Sequence, residues 1–451
     1  MIEFLNQYLF GVGVPILLVT SGIFYGFRLR WFHLRHPLRV LKILAEKPPT
    51  GGVSPVRALS LALAGTLGVG NIVGVSAAIA LGGFGSIFWM WISALCAMLL
   101  KYAEIVLAVA HRRTAPDGTP HGSAMYYIRD CFRERRHPIL GRALAVLFAV
   151  LCILNAITMG SVVQVRAVSE AMEGVFSISP LLTGGVLCVL CAVILFRGRD
   201  AVLSFTDKLV PLMTVGYLAL SLAVLVMRAD GIGYAFSRIL GDAFTPAAGM
   251  GGIGGFLLSR GLRYGTMRGL ISNEAGCGTA PTAHASANCS LPAKQGVWGI
   301  FEVFTDTILL CSMTALVVIV SYEEVVARES DYLMMTIRAY AVVLGEGAAI
   351  FMALAVLFFG FATVICWAHY GSESVSYLSG RKGAQIFFLI VYCASVLWGA
   401  FAGTELVWSL ADLAIGAMTL INLFVLLAMH REVRAESERL CAIFAKKKKA
   451  R

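Results

Sequence analysis

Apolar runs of about 20 residues recur along the whole chain, each long enough to cross a hydrocarbon layer as a helix. No other feature constrains the fold as much. In lipid, every backbone N–H and C=O must find a partner inside the protein, which leaves helices as the way to use such runs. About eleven spans can be read, roughly 8–28, 55–80, 84–110, 143–168, 179–197, 204–227, 248–282, 296–320, 347–377, 384–402 and 405–429. The chain is 58% hydrophobic and 14% charged, with a mean hydropathy of +0.80, whereas soluble domains carry about 25% charged residues. The expected fold class is therefore an all-α polytopic membrane protein without a soluble domain. The first residues, Met1 to Asn6, carry no basic cluster, so the first run is expected to be a retained helix and not a signal peptide.

The net charge of +11 does not point to nucleic acid, because the basic residues sit in short loops and in the tail. Arg28, Arg30, Arg35, Arg39, Lys42 and Lys47 follow the first span, and Arg112, Arg113, Arg129, Arg133, Arg135, Arg136 and Arg142 follow the third. The loop after the eighth is acidic, with Glu323, Glu324, Glu329 and Asp331. Basic loops stay in the cytoplasm, so the N-terminus is expected outside and the C-terminus inside. The tail Lys446–Lys449 and Arg451 would then rest on anionic lipid headgroups. The cysteines fall mostly within apolar runs and show no metal-ligand spacing, so they read as small packing residues.

Two spans are interrupted by glycine. Gly65-Thr66-Leu67-Gly68-Val69-Gly70-Asn71-Ile72-Val73-Gly74 breaks the second, and Ser272-Asn273-Glu274-Ala275-Gly276-Cys277-Gly278-Thr279 breaks the seventh. Non-helical backbone at membrane depth must be buried in protein or line a cavity. Paired breaks in corresponding places of two halves point to a transporter's substrate site. The breaks lie five spans apart. Five is odd, so spans 2–6 and 7–11 can form a 5+5 inverted repeat, with the first span as an extra helix. This divides the chain at 1–50, 51–230, 231–429 and 430–451. Freed N–H groups at a half-helix start suit a carboxylate, and freed carbonyls at a half-helix end suit a hard cation such as Na⁺. Gly68 and Gly70 let a ligand approach the main chain, and Asn71 offers an amide. A small-residue packing face is the other reading, since Gly70 and Gly74 also match GxxxG.

Other intramembrane polar residues carry two readings each. Thr158, Ser161 and Gln164 step around one helix side, with Gln164 either contacting substrate or bonding between helices. Thr363 and Trp367, four apart, share a face; the hydroxyl can bind Na⁺ or ammonium and the indole can floor a pocket, or both can be core. Lys101 and Glu104 are expected to form an i,i+3 ion pair. Asp306 and Asp412 lack local partners and are functional candidates. His284 and His369 are expected to be satisfied interior or loop histidines. A channel would need rings of polar residues along a pore, and an enzyme would need a nucleophile with a base or a metal cluster; neither pattern is present. A channel remains the alternative of another class.

These residues resemble the alanine or glycine:cation symporter family, also called the sodium:alanine symporters, over nearly the whole length. The first broken helix is carried by Gly51-Gly52-Val53-Ser54-Pro55 and Gly65 to Gly74. The run Gly82 to Trp91, followed by Lys101-Tyr102-Ala103-Glu104, is similar to the family's most distinctive signature. Met125-Tyr126-Tyr127-Ile128 matches a loop motif. Arg268-Gly269-Leu270, Ser272 to Gly276 and Ala280 to His284 resemble the second broken helix, and Thr363 to Gly371 resembles T-x-x-x-W-x-x-Y-G.

The resemblance implies a leucine-transporter-type fold in the cell membrane and import of small neutral amino acids (alanine, glycine and serine-sized) coupled to Na⁺. H⁺ coupling on the same fold is the alternative. Na⁺ would be co-transported and not a prosthetic group. By motif, Asn71, Gln164, Ile271, Thr363 and Trp367 would line the pocket. By analogy of fold, Na⁺ would sit between the carbonyls of Ala64 and Leu67 and the Thr363 hydroxyl. The chain departs from the family at Ile271, where Phe is usual, at Cys277, where Met is usual, and at Val165-Arg166-Ala167, where Ala-Asn-Ser is usual. The first two differences widen the expected pocket, and the third raises the question of whether Arg166 favours an acidic substrate.

Overall fold

The structure, a computed structural model, describes residues 12–47, 50–114, 120–244, 260–326 and 331–449. Glu329, residues 248–259 of the expected seventh span and the last two residues of the tail lie outside the described residues. The described chain is helical almost throughout, with one short antiparallel pairing of Arg113–Thr114 with Pro120–His121.

Seven described helices are long and apolar enough to cross a membrane, and the bent pair around the first break makes eight. Val14–Arg28 and Pro180–Leu195 are shorter apolar helices that coincide with expected spans. The second broken span is described from Arg260 onward. The count of about eleven is therefore approximate. One apolar helix, Tyr332–Leu344, lies in a stretch where the sequence predicts no span. Leu212, Val215, Phe387 and Ile390 expose large apolar side chains on long helices. Such a belt suits lipid and not water.

The helix Gly85–Ala110 is buried along most of its length. Arg260–Asn273 packs on one side of it and Pro292–Val303 on another. Small residues permit the close approach: a Cβ on Gly265 would lie 2.1 Å from the Ser86 carbonyl oxygen. Deeper in, Lys101 reaches Glu302 at 3.1 Å, both side chains being almost wholly buried. His284 Nε2 lies 3.0 Å from the other Glu302 oxygen, and Gln295 Nε2 is 2.8 Å from His284 Nδ1. The expected Lys101–Glu104 pair is thus corrected. Glu104 Oε1 instead accepts from Gly278 N at 2.7 Å and from the Asn422 amide. A facing helix offers Lys101 a carboxylate, while the second break offers Glu104 free N–H groups, and both contacts outcompete a partner on the same helix.

Candidate functional site

The first break begins where Pro55–Thr66, started by Pro55 behind a Ser54 cap, runs into Leu67 and Gly68. Gly68 N donates to Thr66 O at 2.9 Å, so the Ala64 carbonyl does not receive its usual helical donor. Thr363 Oγ1 takes that place, its one proton shared between Ala64 O at 2.9 Å and Phe359 O at 3.0 Å in its own helix, Glu346–Leu378. A single turn, Val69–Asn71, follows before Val73–Gly82 resumes, and the span bends by 63°. Gln164 Oε1 accepts from Val69 N at 3.1 Å. A Cβ on Gly68 would lie 2.7 Å from Gln164 Oε1 and 2.9 Å from Thr363 Oγ1, so any larger residue there must push these two side chains aside. Gly70 differs: a Cβ there meets nothing within 4 Å. Its side faces open space, so protein side chains crowd a Cβ at Gly68 and not at Gly70.

The second break holds its shape differently. Glu274, Gly276 and Gly278 take left-handed backbone, with φ of +50°, +84° and +81°, which favours the two glycines. Thr279 Oγ1 donates to Glu274 Oε2 at 2.7 Å, and Asn422 Nδ2 donates to Gly276 O at 2.9 Å. With Glu104 on Gly278, several main-chain groups freed by this break are satisfied by protein side chains. Both broken spans are tied at one end, where Asn288 N donates to Val53 O at 2.7 Å.

Asp306 joins the two breaks. Asn71 Nδ2 donates to its Oδ1 at 2.7 Å, and Ser272 and Thr307 hydroxyls donate to its Oδ2 at 2.8 and 2.7 Å. Asn273 Nδ2 reaches Thr307 Oγ1 at 3.1 Å. Asp306 sits in a π-helical stretch, Phe304–Cys311, and a second such stretch, Thr158–Val162, ends just before Gln164. Such widened turns often mark functional sites. Asn71 Oδ1 is buried without a hydrogen-bond partner, beside the fully buried carboxylate. Asp306 is recognisable in the sequence as an intramembrane carboxylate, but its partners come from distant segments. Carbonyl, hydroxyl, amide and carboxylate oxygens are the ligand set for a hard cation.

A cavity of about 390 Å³ opens onto the first break at Val69 and Gly70, with Ile271, Met159 and Trp408 among its walls. Of the expected site residues, Gly70 and Ile271 line it. Gly68, Gln164 and Thr363 cluster behind the break, and Asn71 turns to Asp306. Trp367 is fully buried and packs against Gly160, where a Cβ would come within 2.3 Å of it. It is not among the walls of this cavity. Thr158 bonds back to Leu154 O and Ser161 pairs with Ser395, so Gln164 alone of that trio addresses the break. Arg166 lines the cavity but is paired with Glu170 at 2.7 Å. His284 is satisfied as expected, whereas His369 Nε2 is buried without a partner.

The profile of the sodium:alanine symporter family matches residues 1–451. The chain is 34% identical over 444 residues to the sodium/alanine symporter AgcS of Methanococcus maripaludis, covering 97% of this chain and 96% of that one. It is 32% identical over 431 residues to the probable sodium/glutamine symporter GlnT of Bacillus subtilis, covering 95% and 87%. Among solved structures, it is similar to a Na⁺-coupled sialic acid symporter in a substrate-bound outward-open state. The TM-score is 0.58 at 12% identity, over 93% of this chain and 86% of that one. That likeness shows the fold, which is of the leucine-transporter type with two broken helices. With break motifs, fold and full-length match in agreement, this chain is a membrane-integral transporter, not an enzyme, and belongs to the sodium:alanine symporter family, in which Na⁺ is the co-transported ion.

Proposed function

We propose that this protein imports small neutral amino acids together with Na⁺ across the cytoplasmic membrane by alternating access. The observation that carries the reading is the first break. One side opens at Gly70 into the cavity, and the other presents the Ala64 carbonyl beside the Thr363 hydroxyl. Substrate enters along Gly70 and Ile271 and meets the main chain of residues 68–71. Na⁺ takes the Ala64 and Leu67 carbonyl oxygens and the Thr363 hydroxyl, whose hydrogen bond to Ala64 O it replaces. The Asp306 cluster, with the unpartnered Asn71 Oδ1, offers a second position for the cation. Units 51–230 and 231–429 act as the two inverted repeats that rock about this site. The N-terminus lies outside, the C-terminus lies in the cytoplasm, and the basic end of the helix His430–Lys449 rests on anionic headgroups. The names of the sodium/alanine and sodium/glutamine relatives support a neutral amino acid as substrate. The pairing of Arg166 with Glu170, which offsets the charge of the arginine, supports the same reading.

The experiment is uptake of radiolabelled alanine into proteoliposomes under an inward Na⁺ gradient, an inward H⁺ gradient, or neither. Saturable uptake with Na⁺ alone is expected. Uptake driven by H⁺ without Na⁺ would move the coupling to protons, and non-saturable flux would indicate a channel.

Two substitutions probe the site. Thr363→Val replaces a hydroxyl by a methyl of similar shape, and it should raise the Na⁺ concentration for half-maximal uptake by about tenfold, the equivalent of one lost interaction near 1.4 kcal/mol. Lower alanine affinity at unchanged Na⁺ dependence would assign Thr363 to the substrate. Ile271→Phe puts a ring into the cavity wall. A methylene in an apolar pocket discriminates by about 1–3 kcal/mol, so exclusion should be graded with size. Competition by threonine, valine and glutamine should weaken relative to glycine and alanine. Superimposable competition profiles for the two proteins would show that Ile271 does not set size.

A further inference from the structure

The cavity above the first break carries two opposite charges that the fold leaves unconnected. Arg268, on Arg260–Asn273, and Asp412, on Thr404–Ala428, both line it. Each of the other charged side chains in its wall has a partner. Arg166 pairs with Glu170 at 2.7 Å, and Asp331 accepts from Met334 N at 2.8 Å at the start of its own helix. Among the described residues, neither the Arg268 nor the Asp412 side chain makes a hydrogen bond or an ion pair within 4.0 Å, although each lies within the other's electrostatic reach. Arg268 Nε is shielded from solvent and has no acceptor. Its stem lies against the second half of the first broken span, 3.8 Å from where a Gly74 Cβ would be.

An Nε–H of a charged guanidinium that is cut off from water and has no acceptor is costly, more so than a neutral donor. The fold could have relieved it by closing Arg268 onto Asp412, or by an apolar residue in either place. It keeps instead one cation and one anion facing the same space. Guanidinium binds carboxylate in a two-pronged fashion, and a carboxylate accepts from an ammonium. A ligand that carries both groups on one carbon matches the pair, and its side chain would lie along Met267 and Trp408.

We propose that Arg268 and Asp412 form an outer docking site for a zwitterionic α-amino acid, with the ligand carboxylate on Arg268 and its ammonium on Asp412. The amino acid pauses there before it descends to Gly70 and Ile271. The site rests on the amino-acid transport reading given above and extends it by a second position along the path.

The test uses the full-length protein in proteoliposomes, with alanine as probe and with alaninamide and lactate as competitors that lack the carboxylate charge and the ammonium respectively. In Arg268→Gln and Asp412→Asn, the alanine concentration for half-maximal uptake should rise about tenfold, as for one lost charge-assisted contact near 1.4 kcal/mol, with the maximal rate little changed. Arg268→Lys keeps the charge but not the two-pronged contact, and should recover only part of the loss. Arg268→Gln should also narrow the preference for alanine over alaninamide, and Asp412→Asn the preference over lactate. Unchanged half-saturation and unchanged competitor preference in both variants would overturn the docking site while leaving transport intact. So would a fall in maximal rate alone, which indicates a structural pair. Absence of saturable alanine uptake by the unaltered protein would instead overturn the transport reading, and this site with it.

Discussion

A Gly68→Val protein is expected to reach the membrane and transport nothing. Even the first carbon of the new side chain would lie 2.7 Å from Gln164 Oε1 and 2.9 Å from Thr363 Oγ1. Both neighbours are side-chain ends that can turn away, so the fold survives. In doing so they leave Val69 N without its acceptor and Ala64 O without its hydroxyl donor. A displacement of about 1 Å at an ordered site can cost on the order of 100-fold in rate. Gly70→Ala is the matched control, because nothing lies within 4 Å of a Cβ there. It should fold normally and lose far less activity, while Gly70→Val, which fills the cavity mouth, should fall between the two. Uptake of each variant, normalised to protein in the membrane, decides the order. Equal activity of Gly68→Val and the unaltered protein would show that the break does not need to stay open behind Gly68.

Lys101→Met should lower stability by about 3–5 kcal/mol, the usual result of removing one partner of a buried ion pair. The Lys101 and Glu302 side chains are 0% and 1% exposed, so the stranded carboxylate has no water to turn to. His284 Nε2 stays on its other oxygen and compensates in part. Replacing both partners, Lys101→Met with Glu302→Leu, should recover much of the loss, because buried pairs exchanged for apolar residues are often neutral. The comparison is the thermal unfolding midpoint in detergent. A double variant less stable than Lys101→Met would mean that Glu302 chiefly holds His284 and the end of the second broken span.

The sequence by itself determined the class of protein and the position of the breaks. Apolar runs about 20 residues long can do little else in lipid than form helices, and glycine clusters inside them mark where the helix yields. Thr363 and Gln164 were legible as candidates, each with a packing alternative, because a polar side chain in an apolar helix has few uses; tertiary structure turns both to the first break. Partners were not legible. Lys101 and Glu104 look like a pair along the helix, yet Lys101 turns to Glu302 and Glu104 to the second break, because which facing groups lack a partner is settled by packing across helices. Trp367 shares a face with Thr363 in sequence, but the close approach of Gly160 seals it into the core. Asp306 stood out as a carboxylate without an evident role until the tertiary structure brought Asn71, Ser272 and Thr307 to it from two broken helices and its own π-turn. Helix formation is a local consequence of backbone hydrogen bonding in an apolar medium. The matching of buried donors to acceptors is a three-dimensional sum over every neighbouring helix, and only the tertiary structure performs it.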